Sequence, residues 1–230
     1  SRFIGPKDPV RKWSFTFDAT FNLQPTIGSN GTIYASGYSS GSKVNNFYAI
    51  TPDGKKKWSI DLRASKSVIG QDGTIYVTGC NQEGDCGVYA INPSGEIIWS
   101  NVEDTASYLL LGKDGSIYVL AGTDPNQPQM MHKINQSGST QWSIKLPRIS
   151  YNAPPIIGKD GKIYFVGSGS KETTIYTMDT QTGDITTFYS FTKNSLTFDL
   201  KMGEDGTLYT GTYYSTIYAI SSTGQLKWQL

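Results

Sequence analysis

An eight-residue phrase recurs five times along this chain and leaves few folds open to it. It reads IGSNGTIY at 27–34, IGQDGTIY at 69–76, LGKDGSIY at 111–118, IGKDGKIY at 157–164 and MGEDGTLY at 202–209, with a period of 42 to 46 residues. A second phrase trails each copy: YAITPDGKKKW at 48–58, YAINPSGEIIW at 89–99, HKINQSGSTQW at 132–142 and YAISSTGQLKW at 218–228. The fourth copy diverges to YTMDTQTGDITTF. Self-similarity at such a period marks a stacked-repeat architecture.

Within each unit an apolar stretch ends at an Asp-Gly or Asn-Gly pair, and a run rich in β-branched and aromatic residues follows at once. This predicts a tight hairpin between two strands, A and B. A two-residue primed turn is expected there. Gly31, Gly73, Gly115, Gly161 and Gly206 would supply positive φ, and Asn30, Asp72, Asp114, Asp160 and Asp205 would tolerate the left-handed region beside them. The Tyr-Ala-Ile run is strand C, which Gly54, Gly95, Gly138, Gly183 or Gly224 turns into strand D. No stretch holds helical periodicity beyond a turn or two. Four short strands per unit in five units predict an all-β fold, a β-propeller of five four-stranded blades. The expected blades are 22–60, 64–102, 106–146, 152–192 and 197–230, in a single domain spanning 1–230. One blade cannot bury both of its faces, so neighbours must stack radially.

The pairing of G-x-I-Y with Y-A-I-x-x-x-G-x-x-x-W resembles the tryptophan-docking repeat of pyrroloquinoline-quinone (PQQ) proteins over nearly the whole chain. The resemblance implies that the small residue of strand C packs with the Trp of strand D and locks adjacent blades: Ala49 with Trp58, Ala90 with Trp99, Ala219 with Trp228. Trp142 holds the same position in blade three, and each Trp is expected to be buried between blades. The repeat is one residue shorter than in the dehydrogenases of that family, except in blade four, where Asp179, Thr182 and Gly183 keep the longer D-x-x-T-G form and Thr187-Phe188 replaces the Trp. The pattern is closer to the family's non-catalytic members, periplasmic assembly scaffolds and repeat domains of cell-surface proteins. Residues 10–17, VRKWSFTF, match a strand D whose strands A to C are absent, while the last blade already carries its own at 225–230. Either the chain is cut from a propeller of more blades, or this outer strand pairs onto the C-terminal blade and closes a five-blade ring.

A formal charge of +1 offers no single-sign field, so nucleic acid is not an expected partner. No apolar run approaches the roughly 20 residues that span a bilayer. Ser1-Arg2-Phe3 has neither an initiator Met nor a signal-peptide core, which implies removal of the beginning. Cys80 and Cys86 bracket five residues of the blade-two B–C loop, a spacing that places them across a hairpin. A disulfide is the favoured reading; free thiols and a metal pair are the alternatives, and zinc is disfavoured because the chain has one His besides these two Cys. A secreted, periplasmic or cell-surface location follows from the bridge.

Catalytic readings fare poorly. His132, the one histidine, falls in the slot held by Tyr48, Tyr89, Tyr176 and Tyr218 and reads as a packing variant. No Gly-x-Ser-x-Gly elbow occurs. The repeated Asp-Gly pairs lack the dense carboxylates of a calcium loop and read as turns. Lys55-Lys56-Lys57 reads as an edge-protecting run on an outer strand. A glycosidase needs two facing carboxyl groups. At the inner-strand register shared by Gln24, Lys66, Tyr108 and Pro154, Asp199 is the lone carboxylate, with Asp18, Asp61 and Asp104 on adjoining linkers. A PQQ dehydrogenase site would need Arg or Lys for the tricarboxylate and Glu, Asn and Asp for calcium, and no such set assembles. No cofactor and no catalysis are therefore expected; a PQQ-dependent dehydrogenase and a lectin-like sugar binder are the alternatives.

Loop diversity marks the adaptable end. The A–B turns are nearly identical, whereas the B–C loops run from YSSGSKVNN in blade one to TYYS in blade five. In a propeller these loops emerge with the D–A linkers, and loops on a rigid scaffold commonly carry function. Arg63, Lys66, Asp104, Tyr108, Arg148, Tyr151, Asn152 and Asp199 mix Arg, aromatic and carboxylate groups near that mouth. The composition suits a protein or carbohydrate ligand.

Overall fold

Turn chemistry sets the register of the A–B hairpins. The computed structural model describes residues 10–16, 20–21, 25–38, 45–101, 106–122, 128–150, 153–168, 172–191, 197–212 and 215–230. Each A–B connection there is a three-residue loop, not the expected two-residue primed turn. In blade one the Gly31 N–H donates to the Gly28 carbonyl at 2.9 Å and the Gly28 N–H to the Thr32 carbonyl at 2.8 Å, and the same pair of bonds recurs at Gly70, Gly112, Gly158 and Gly203. This is a turn closed by a left-handed glycine, with φ of 78° at Gly31 and 85° at Gly73. The preceding Asn or Asp is not left-handed; among the described non-glycine residues only Ser215 has positive φ. Its side chain instead caps the turn: Asn30, Asp72, Asp114, Asp160 and Asp205 each accept the N–H two residues on, at 3.0 to 3.2 Å.

Five antiparallel sheets follow, each in the order A-B-C-D. Blade two is Arg63–Ile69, Ile75–Cys80, Cys86–Ile91 and Ile97–Asn101; blade three is Ala106–Leu111, Ile117–Ala121, Met130–Ile134 and Thr140–Lys145. Blade five is Thr197–Met202, Leu208–Thr212, Ile217–Ile220 and Leu226–Gln229. In blade one strand A is split into Thr20–Phe21 and Thr26–Ile27, ahead of Ile33–Tyr38, Asn45–Ile50 and Lys56–Asp61. In blade four it shrinks to Ile156–Ile157 beside an isolated Ile149–Gly167 bridge, ahead of Ile163–Ser168, Thr173–Met178 and Ile185–Phe191. Pro154 and Pro155 have no N–H to give a ladder, which delays this strand to 156 from its expected start at 152.

Burial explains the strand sequences. Ile75, Tyr76, Val77 and Thr78 of strand B are all buried, because both faces of the inner strands meet a neighbouring blade. In blades one and three strand D alternates exposed and half-buried residues, turning one face to the next blade. The core is therefore a series of inter-blade clusters. Phe47, Ala49, Ile75 and Val77 join blades one and two; Val88, Ala90, Ile117 and Val119 join two and three. Met131, Ile163, Phe165 and Met178 join three and four; Ile175, Val166, Leu208 and Ile220 join four and five. Each buried aliphatic or aromatic side chain contributes about 1.5–3 kcal/mol.

A directional lock reinforces two of these seams and recurs where residues 10–16 meet blade one. The Trp58 indole lies against Gly95 of the next blade's C–D turn, where an added Cβ would come within 2.8 Å of the ring, and its Nε1 donates to the Pro93 carbonyl at 3.1 Å. Trp99 repeats this on Gly138 and the Gln136 carbonyl, at 2.9 Å. Trp13, in a segment that belongs to no described ladder, repeats it on Gly54 and the Pro52 carbonyl, at 2.9 Å. The lock slips at blade four, whose turn is one residue longer, from Asp179 to Asp184. There Ile144, not Trp142, meets Gly183, and the homologous Thr180 carbonyl accepts instead from the Lys133 ammonium at 3.1 Å. Trp142 Nε1 is buried with no hydrogen-bond partner among the described residues.

The expected strand C–D pairs are present: Ala49 opposes Trp58, Ala90 opposes Trp99 and Ala219 opposes Trp228, with Lys133 in the small-residue slot opposite Trp142. Burial of every Trp is corrected. Trp58, Trp99 and Trp142 are half-buried, and Trp228 is exposed, docked on no blade among the described residues.

Candidate functional site

The end that carries the B–C loops is best defined in blade two. Cys80 and Cys86 are direct cross-strand neighbours, 4.0 Å apart at Cα, and form a disulfide. Its loop repeats the backbone bonds of the A–B hairpins, with Gly84 at φ 93°, while the Asn81 side chain accepts from the Asp85 N–H at 2.9 Å as Asn92 does from Glu96 in the C–D turn. The Tyr89 hydroxyl donates to the Asp85 carbonyl at 2.6 Å, and the Gln82 amide donates to Asp61 on the adjoining strand D. Loop and strand are thus tied together at one corner.

The residues expected to form a site divide into three groups. Arg63 opens strand A of blade two opposite Cys80; it is exposed, and its Nη2 lies 3.3 Å from the Cys80 sulfur. Lys66 is exposed beyond a β-bulge in the same strand, its N–H bonded to Thr78 Oγ1 at 3.1 Å. Tyr108 follows the corresponding bulge in blade three, and in blade five the register shifts at Asp199 itself. Bulges re-aim side chains at sheet rims. Strand A of blade three touches strand A of both neighbouring blades, so these strands form the inner wall. Burial, and secondarily the Asp199 carboxylate, push the Tyr108 hydroxyl pKa up. Asp199 is exposed and pairs with Lys201 at 3.6 Å.

Arg148 is exposed but stands apart, on the strap that links blades three and four. That strap hangs on Gln129, which accepts the Ile149 N–H through Oε1 at 2.6 Å and the Leu146 N–H through its own carbonyl at 2.8 Å. Sequence reasoning passed over Gln129, a buried polar residue beside a loop. Asp104, Tyr151 and Asn152 lie outside the described residues, as do 39–44 and 123–127, parts of two variable loops.

At the opposite end a cleft of about 470 Å³ opens between the A–B turns of blades two and three, lined by Gln71, Asp72, Tyr76, Lys113, Asp114 and Gln136. Both of its carboxylates serve as turn caps; the Thr74 N–H and hydroxyl hold the Asp72 carboxyl below its ordinary range. His132 Nδ1 lies 2.7 Å from Ser143 Oγ, directly across the ladder. Among the described residues no three His, Cys, Asp or Glu side chains converge. Among the described residues no helix is long and apolar enough to cross a membrane.

Four-stranded blades locked ring-to-glycine define a PQQ-like repeat β-propeller. The family model described as outer membrane protein assembly factor BamB matches residues 8–123, and the chain belongs to that family. No curated protein matches it. Among solved structures it is similar to virginiamycin B lyase from Staphylococcus aureus, with 20% identity and a TM-score of 0.68 over 93% of this chain and 70% of the lyase. BamB from Moraxella catarrhalis superposes at 14% identity with a TM-score of 0.62, over 94% of this chain. The chain spans 64% of that BamB. PorZ, a surface component of the type-IX secretion system of Porphyromonas gingivalis, superposes at 10% identity with a TM-score of 0.59, over 90% of this chain and 33% of PorZ. Identities this low carry the fold and nothing of activity.

Proposed function

We propose that residues 1–230 act as one non-catalytic binding or scaffolding domain of a secreted, periplasmic or cell-surface protein. The domain holds a protein partner at the end where B–C loops and D–A linkers emerge. The observation that carries this reading is the corner at Cys80–Cys86: a bridged, internally hydrogen-bonded loop with Arg63 exposed beside it. A loop held rigid before contact gives up less conformational freedom on binding, and Arg and Tyr are common anchors of protein interfaces. Lys66, Tyr108 and Asp199 extend the same polar surface around the inner wall. Membership of the BamB family supports a role in envelope assembly, and the bridge supports an oxidising compartment.

The test compares two variants of the immobilised chain exposed to envelope extract. Arg63→Glu with Tyr108→Ala is expected to lose proteins that the parent retains, and Lys113→Glu at the opposite end is expected to keep them. Loss with Lys113→Glu alone refutes the assignment of the face. Saturable binding on a glycan array would replace the protein partner with a sugar. Dye reduction after addition of PQQ and calcium would replace scaffolding with dehydrogenase chemistry.

A further inference from the structure

Five blades in a closed ring would meet at five seams, yet among the described residues the core clusters join one to two, two to three, three to four and four to five only. The two outward faces bear the marks of missing neighbours. On strand C, Phe47, Val88, Met131 and Ile175 occupy one repeat position, facing the next blade, and are 0%, 1%, 1% and 0% exposed. Ile217 holds that position in blade five and is 51% exposed, next to Trp228 at 41%. On strand A, Ile69, Leu111, Ile157 and Met202 pack back against the preceding blade. Their counterpart in blade one, Ile27, is 65% exposed.

The glycine turns show why blade one does not cover blade five. Six D-type segments compete for five C–D turns, and every turn is taken: Gly54 by Trp13, Gly95 by Trp58, Gly138 by Trp99, Gly183 by Ile144 and Gly224 by Phe188. Trp228 has no turn left within these residues. Segment 10–16 makes the contacts of a strand D in detail: Phe15, two residues after Trp13, packs edge-on against Tyr48, as Ile60 and Ile144 pack in the clusters of Tyr89 and Tyr176. Lys57 reaches the next blade, donating to the Pro93 carbonyl at 3.0 Å. Lys227, its counterpart in blade five, folds back onto Asp205 and Thr207 of its own blade, at 3.3 and 3.0 Å. A second copy of the chain meets the same obstacle, because its Gly54 is also filled by its own Trp13.

We propose that the outward face of blade five seats a further blade of this repeat, supplied by polypeptide outside residues 1–230. Its C–D glycine receives Trp228, and residues 10–16 are the outer strand of the blade that closes the ring onto blade one. The occupant is defined chemically: a sheet presenting apolar strand B and C residues to Ile217, and a glycine turn with a free carbonyl for the indole N–H.

The test reads Trp228 by acrylamide quenching, as the difference between the 230-residue chain and its Trp228→Phe variant, with mass measured by sedimentation. A monomer in which Trp228 is the most quenchable tryptophan is expected. A copy of residues 62–101 joined after Leu230 should then shield Trp228, and Gly95→Val within that copy should expose it again. Ile217→Asp in the unextended chain should leave the melting temperature unchanged, whereas Met131→Asp at the same repeat position should abolish cooperative melting. Shielding of Trp228 in the unextended monomer, or unfolding by Ile217→Asp, would mean that the five blades close on themselves. Shielding that appears only with dimerisation would make a second copy the occupant. Each of these three results overturns the proposal, as does a folded extended chain that leaves Trp228 exposed.

Discussion

Gly95→Ala isolates the energy of one blade lock. Gly95 has φ of 96°, and an added Cβ would sit 2.8 Å from two atoms of the Trp58 indole. Two effects act together. A left-handed alanine costs about 1–2 kcal/mol, offset by about 0.4–1 kcal/mol from a stiffer unfolded chain. Displacing a ring from a close-packed seam adds about 1–3 kcal/mol. Gly161 supplies the control: its φ is 81°, in the same type of turn, and nothing lies within 4 Å of its added Cβ. Gly161→Ala therefore carries the backbone effect alone, and the difference between the two variants measures the lock. Urea unfolding followed by tryptophan fluorescence should show Gly95→Ala about 1–3 kcal/mol less stable than Gly161→Ala. In a chain of this size the gap corresponds to a melting difference of roughly 2–4 °C per kcal/mol. Equal destabilisation by the two substitutions would refute the claim that the indole needs a glycine beneath it.

Other consequences are open to measurement. Trp99→Phe should cost about 1 kcal/mol more than Trp142→Phe, because Trp99 Nε1 donates to the Gln136 carbonyl while Trp142 Nε1 has no such partner among the described residues; equal denaturation midpoints would contradict this. Reduction of Cys80–Cys86 should lower stability by about 2 kcal/mol on the loop-entropy estimate without unfolding the sheets, read by circular dichroism with intact mass before and after alkylation. Below neutral pH the turn carboxylates set the response. The Thr207 hydroxyl and N–H, then Lys227, lower the Asp205 pKa to about 2, and Thr74 lowers that of Asp72. Such groups stabilise the fold above their unfolded pKa of about 3.9, and that contribution is lost as pH falls through the depressed folded values. Urea midpoints should therefore hold steady down to about pH 4 and fall below it. Asp72→Asn should preserve the fold, since Asn30 caps the same turn in blade one.

The repeat made the blades legible because Gly, Tyr and Trp recur at positions where geometry tolerates little else. What sequence reading missed lay in differences of a single residue. The Asp-Gly pair is shared by two-residue and three-residue hairpins, and only the Gly28-to-Thr32 hydrogen bond separates them. Blade four's longer turn was visible, but its transfer of the docking role from Trp142 to Ile144 depends on where Gly183 falls in space. Trp228 matched the motif as well as Trp58 did; its exposure reflects the absence of a neighbour, which no local pattern records. At the candidate site the disulfide followed from cysteine spacing, whereas the influence of the Asp199 carboxylate on Tyr108 reaches from blade five to blade three and needed the backbone to appear.

The ring-to-glycine contact also shifts the phase of the cooperative unit. Because strand D is clasped by the blade that follows it, the segment that carries its own lock runs from Lys56 of one blade to Gly95 of the next, not from one D–A linker to another. Severing the backbone between Asp61 and Arg63 divides this module, while opening the Pro93–Gly95 turn falls at a module border. Amide-exchange protection should step at the C–D turns, so that breathing propagates by frames offset one strand from the visible blades.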